Sequence, residues 1–267
     1  MTIIFFHGLG SSKKLLNYIY HDNKYHKNNF IKQLEKLDTV YIPKIPYTNI
    51  HYYDEYKIMK PMFTPIDNIN YEELSLDKFI TKLYNMMDKN KYKPPYIVMG
   101  HSHGIYYACE FAKQYIKEIK YIISLDGSWI SNELNKQRLL IWKNKGKIIP
   151  KINNQKTLDN IIDKIKTEKD NMKYINMIES YIRGTHTKFC IKQNYEKMNI
   201  PFITFRDFNS DVKDDIMKQY NNMVLQENNI LSKYTKHIVF ILLDATHEIW
   251  LNDNYKNTII QTLKLLI

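Results

Sequence analysis

The segment Gly100-His101-Ser102-His103-Gly104 constrains this chain more than any other feature. A serine flanked by glycines at both second neighbours suits a turn so tight that side chains there would collide. Such a turn has a purpose when a strand enters it and a helix leaves it. The serine hydroxyl then stands clear at the end of a sheet. Both flanks are present. Tyr96-Ile97-Val98-Met99 is an apolar run entered from Pro94-Pro95, and Ile105 to Ile116 is helix-favouring. With ten serines and seven glycines in the chain, roughly 0.007 matches to this pattern arise by chance.

The same strand-then-helix rhythm runs along the chain. Short apolar runs predict strands at 2–6, 39–42, 96–99, 121–125, 202–206 and 238–243. Helix-favouring stretches cover 27–37, 72–89, 104–117, 212–230 and 253–266. Runs such as His237-Ile238-Val239-Phe240-Ile241-Leu242 are apolar without alternation, as expected of strands buried on both faces. The expectation is an α/β fold: a mostly parallel six-stranded sheet flanked by helices, with right-handed crossovers. Two stretches break the rhythm. Residues 43–71 carry Pro43, Pro46, Pro61 and Pro65 and read as a long loop over one sheet edge. Residues 129–198 are far longer than a simple crossover and read as an inserted helical cap, leaving 1–128 and 199–267 as the core.

Composition limits the partners. Met1 to Phe6 is apolar but has no basic leader or small-residue cleavage site, so it reads as a strand rather than a signal peptide. No apolar run approaches the ~18 residues of a membrane span. Cys109 and Cys190 are too few for a disulfide framework. A cytoplasmic, reducing setting is expected. The formal charge is +11, yet only three of the 39 basic residues, Arg138, Arg183 and Arg206, are arginine. Lysine, asparagine, isoleucine and tyrosine share A/T-rich codons, which accounts for much of the basicity. The lysines are scattered and no nucleic-acid motif accompanies them, so no nucleic-acid partner is expected. His101 and His103 form an H-x-H pair of the kind that can chelate zinc. No third ligand lies near in sequence, so no metal and no cofactor are expected.

Ser102 in this context resembles the nucleophile elbow of the α/β-hydrolase superfamily, and the whole chain can be laid along that fold. Phe6-His7-Gly8-Leu9-Gly10-Ser11 resembles the superfamily's His-Gly segment after an early strand. The resemblance implies a minimal α/β-hydrolase fold that lacks the usual first two antiparallel strands. Hydrolases carried by giant amoebal viruses look similar, which would make the setting host cytoplasm. It also implies an oxyanion hole formed by the backbone N–H groups of Leu9 and His103. His247, in Asp244-Ala245-Thr246-His247-Glu248 just past the last strand, matches the superfamily's histidine, with Thr246 where a glycine is usual. The orienting acid is expected in Arg206-Asp207-Phe208-Asn209-Ser210-Asp211-Val212, after the preceding strand. Asp211, followed by an apolar residue, fits best. Asp207 is the competitor, and Asp126 in Leu125-Asp126-Gly127-Ser128 is a third possibility. Each choice keeps an order of chain elements known for this fold.

The activity so implied is that of a serine esterase, lipase or thioesterase acting on a small-molecule acyl substrate. A serine at this position argues against the epoxide hydrolases and haloalkane dehalogenases of the fold, which use aspartate there. The alternative is a catalytically silent binding protein on the same fold. The cap, with Trp129, Trp142, Ile148, Ile149 and Tyr181, is placed to line a pocket or to pack on the sheet.

Overall fold

The computed structural model describes residues 1–8, 16, 18–21, 24–45, 52–53, 59–60, 70–127, 131–144, 149–168, 172–208, 215–243, 245, 247 and 249–267. In chain order the strands are β1 (Thr2–Phe6), β2 (Tyr18–His21), β3 (Lys24–Lys27), β4 (Thr39–Tyr41), β5 (Tyr52–Tyr53), β6 (Met59–Lys60), β7 (Tyr96–His101), β8 (Ile119–Leu125), β9 (Phe202–Phe208) and β10 (His237–Leu243). The helices are α1 (Phe30–Glu35), α2 (Leu76–Met86), α3 (Gly104–Gln114), α4 (Asn132–Asn144), α5 (Gln155–Thr167), α6 (Met172–Gln193), α7 (Asp215–Leu231) and α8 (Asp253–Leu266).

Six strands form one sheet in the order β10-β9-β8-β7-β1-β4, and all its pairings are parallel. The apolar runs explain why. β1 buries all five of its residues and β7 all six, so each strand must be covered on both faces. On β1, Ile4 and Phe6 point to the layer that holds α2 and α3, while Ile3 and Phe5 point to the layer of α1 and α8. Aromatic contacts lock the second layer: Trp250 stacks on Phe30 at 5.5 Å and meets Phe5 edge-on at 6.2 Å. The expected strands and parallel sheet are therefore present, along with the helical insert.

Two small antiparallel ribbons depart from the expectation. β2 pairs with β3 over Tyr18 to Lys27, ahead of a helix that begins at Phe30 rather than at residue 27. β5 pairs with β6 inside the stretch read as loop. The insert between β8 and β9 comprises α4, α5 and α6. It has an apolar cluster of its own, in which Leu158, Ile162 and Ile165 of α5 meet Ile175, Ile178 and Ile182 of α6. Gly184 on α6 lies so close to Ile149 that a side chain there would strike the Ile149 side chain. Among the described residues, no helix is long and apolar enough to cross a membrane.

Candidate active site

The site is assembled at the carboxyl ends of β7, β8 and β10. Ser102 follows β7 directly and has φ 52°, the left-handed region that costs a non-glycine residue about 1–3 kcal/mol. The surroundings enforce it. A Cβ on Gly100 would run into the backbone of Ile105, and one on Gly104 into the carbonyl of Phe6. Both glycines are therefore required by close approach, α3 to its own strand and α3 to the end of β1. The Ser102 N–H donates to the Leu125 carbonyl at 3.2 Å, which ties the turn to β8. The Ser102 side chain remains half-buried.

The end of β1 lies against this turn. A Cβ on Gly8 would stand 3.0 Å from Ser102 Cβ and 3.2 Å from His101 Nδ1. His103 opens α3, where the first N–H groups of a helix have no intrahelical acceptor. Leu9, the other residue expected to offer an oxyanion N–H, lies outside the described residues.

His247 Nδ1 lies 2.6 Å from Asp126 Oδ2. Asp126 is buried and, like Ser102, has positive φ, at 45°. Its N–H donates to the Phe205 carbonyl at 2.7 Å, and its Oδ1 accepts from the Asp207 N–H at 3.3 Å. Arg206 Nη1 stands 3.8 Å from the same Oδ1, while the guanidinium pairs with Glu227 and donates to the Gly127 carbonyl. Burial by itself would raise the Asp126 carboxyl. The His247 hydrogen bond and the Arg206 charge outweigh it and hold the group below the usual carboxylate range. Of the three acids weighed from sequence, the one that meets the histidine is thus Asp126, after β8. Asp207 sits one strand over in register with Leu242, and its backbone braces Asp126. Asp211 lies outside the described residues.

The H-x-H pair divides its work. His101 Nε2 lies 3.0 Å from the His247 carbonyl. A carbonyl only accepts, so His101 carries its proton on Nε2. The ring also packs 4.5 Å from Trp250, edge-on, so it steadies the His247 loop from below. His103 turns the other way. Its Nε2 is 2.9 Å from His186 Nδ1, and His186 Nε2 is 2.9 Å from the Leu74 carbonyl. The acceptor at the end of this chain fixes both tautomers: His186 donates from Nε2 and His103 donates to His186. Among the described residues, no group of three metal-ligating side chains is present. His237, at the opposite end of β10, bonds Thr204 Oγ1 at 3.0 Å.

Sequence reasoning did not single out His186, Glu227 or the arginines as site neighbours. The scarcity of arginine in a lysine-rich chain was the available signal.

Burial leaves several imidazoles neutral. It lowers His7 to about 4 and His101 to about 3, the latter with help from His247, and lowers His186 to about 4. These folded values lie below the ordinary 6.5, so the unfolded chain takes up protons first as pH falls. The folded state carries no penalty from them above pH 6.5, and the penalty grows as pH falls to about 4 for His7 and His186 and to about 3 for His101. At pH 5 each imidazole disfavours the folded state by about 2 kcal/mol, a sizeable part of a typical total of about 5–15 kcal/mol. The melting temperature followed by circular dichroism should fall steeply from pH 7 to pH 5. A flat profile across that interval would contradict the burial of these rings as neutral groups.

No family model matches the chain, and neither does any curated protein. Solved structures do match along its length. A monoacylglycerol lipase from Paleococcus ferrophilus superposes with TM-score 0.54 at 14% identity, covering 100% of this chain and 95% of that one. An epoxide hydrolase from Bacillus megaterium gives 0.55 at 13%, covering 99% and 93%. An α/β hydrolase from a sediment metagenome of the Mar Chica lagoon gives 0.51 at 14%, covering 98% and 88%. With the parallel six-stranded sheet and its helical insert, these likenesses establish that the chain has the α/β-hydrolase fold.

Proposed function

We propose that this protein is a serine hydrolase that cleaves a carboxylic ester or thioester through an acyl-enzyme on Ser102. The observation that carries the reading is the 2.6 Å contact of His247 Nδ1 with buried Asp126, at the same sheet edge as a serine on a left-handed turn. A serine hydroxyl is a weak nucleophile until a base takes its proton. The carboxylate of Asp126 accepts the Nδ1–H of His247, which leaves Nε2 with its lone pair to serve as that base. Ser102 Oγ attacks the acyl carbonyl. The oxyanion is met by the N–H of His103, with Leu9 the second donor that the resemblance to the superfamily implies. His247 then gives its proton to the leaving group, and water attacks the ester on Ser102 by the same path.

The nearness of Gly8 to Ser102 supports the reading, because it brings the end of β1 to the nucleophile. Asp207 acts here through its N–H on Asp126 rather than as the orienting acid. Of the solved structures with this fold, the Paleococcus ferrophilus protein is a lipase, which makes simple esters the first substrates to try.

Rapid mixing with a short p-nitrophenyl ester should release a burst of p-nitrophenol stoichiometric with enzyme, followed by slower turnover as the acyl-enzyme hydrolyses. A silent binding protein of this fold would release none above background.

A further inference from the structure

A carboxylate has no ordinary place on the buried stripe of a helix, yet α7 carries one. Met223, Glu227 and Leu231 fall at every fourth position, and all three are buried. Glu227 takes the Arg206 guanidinium there. Nη2 donates to Glu227 Oε2, while Nη1 donates to the Gly127 carbonyl. Nη1 also stands 3.8 Å from Asp126 Oδ1, too far for a hydrogen bond but near enough for charge to act. Asp126, Arg206 and Glu227 thus form a row of alternating charge behind His247, whose Nδ1 lies 2.6 Å from Asp126 Oδ2. The desolvation of a buried ion pair rivals its attraction, so such a pair is a poor device for stability alone.

The other titratable groups around the row are neutral near pH 7. His101 faces Asp126 and His237 faces Arg206, but burial lowers them to about 3 and about 4. Burial likewise keeps the thiol of Cys109, on α3 near Glu227, protonated. Asp207 meets Asp126 through its backbone N–H. Burial raises Glu227, and the Arg206 charge acts in the opposite sense. Without the Glu227 charge, Arg206 would turn to Asp126, and the acid would divide its charge between a guanidinium and the imidazole.

We propose that Glu227 and Arg206 are positioning residues for the acid: Glu227 holds the guanidinium off Asp126, so that Asp126 stays the partner of His247 and the pair sets how readily that imidazole takes a proton. The purpose of this device rests on the serine hydrolase reading; its measurement does not. The test is the titration midpoint of His247, followed by NMR of its imidazole and assigned by the loss of its signal in His247→Gln. Glu227→Gln keeps an oxygen for Arg206 and removes the negative charge, so the midpoint should fall. Arg206→Gln removes the positive charge, so the midpoint should rise. Each shift should be about half to one pH unit, the scale of a unit charge acting over about 10–20 Å at an effective dielectric near 20. A purely structural pair would lower the midpoint in both variants, because a loosened Asp126 supports the imidazolium less. An unmoved midpoint in Glu227→Gln, or a fall in Arg206→Gln, would overturn the proposal. Should Arg206→Gln fail to fold, the double variant with Glu227→Gln leaves no bare carboxylate and should titrate above Glu227→Gln alone; a midpoint at or below it would overturn the proposal. Where turnover is present, the acid limb of kcat/KM should move with the midpoint, and a limb that stays put would count against the role. A failure of the Ser102 chemistry shows as absent turnover and leaves the midpoints intact.

Discussion

Ser102→Ala should lower kcat for a p-nitrophenyl ester by about 10⁶-fold, with little change in melting temperature. The magnitude follows from the loss of covalent catalysis together with the proton transfer that serves it, which act as one unit and do not add. The stability forecast has a separate cause. The Ser102 backbone sits at φ 52°, held by its N–H to Leu125 and by the close approach of Gly100 and Gly104 to their neighbours. Alanine shares the same backbone cost and removes a single oxygen from a half-buried position. A fall in activity accompanied by loss of fold would therefore point to the turn rather than to the nucleophile.

Asp126→Asn should cost about 10⁴-fold in kcat. Asparagine keeps the shape and can still accept the Asp207 N–H through its oxygen. Its amide, however, turns a donor toward His247 Nδ1, where the carboxylate offered an acceptor at 2.6 Å. The imidazole then carries its proton on Nε2, toward the serine, and cannot accept another without becoming charged. The negative charge that stabilises the imidazolium is lost as well. Arg206 keeps Glu227 as its partner, so the buried guanidinium is not left bare. Asp207→Asn is the comparison, because the contribution of Asp207 to the pair is its backbone N–H. Its kcat should fall far less. Parity of the two variants would return the acid to the β9 loop.

That loop is where the sequence was least legible. The core strands could be read because runs such as Tyr96 to Met99 are apolar throughout, and the elbow because its two glycines have a steric reason visible in the spacing. The acid depends on something else. Asp126 reaches His247 because β8 and β9 pair with Leu125 against Phe205, and because the Asp126 N–H then bonds the Phe205 carbonyl. Neither fact leaves a local signature, and the left-handed turn at Asp126 occurs without a glycine at that position. The two histidines of the H-x-H pair are similar. Spacing suggests a shared ligand, yet one ring serves a carbonyl 146 positions away and the other a ring 83 positions away. Only the packed sheet and insert separate them. The β2–β3 ribbon, Tyr18 to Lys27, falls where no strand was expected, and the helix-favouring stretch from 27 overlaps it only at Lys27, the helix itself starting at Phe30.

The central claim is that Ser102 is an activated nucleophile, and covalent capture tests it most directly. A fluorophosphonate probe should label the protein once per chain, and mass spectrometry of the digest should place the adduct on Ser102, with labelling abolished in Ser102→Ala and strongly slowed in Asp126→Asn. An unlabelled native protein, or an adduct that persists at another residue in Ser102→Ala, would contradict it.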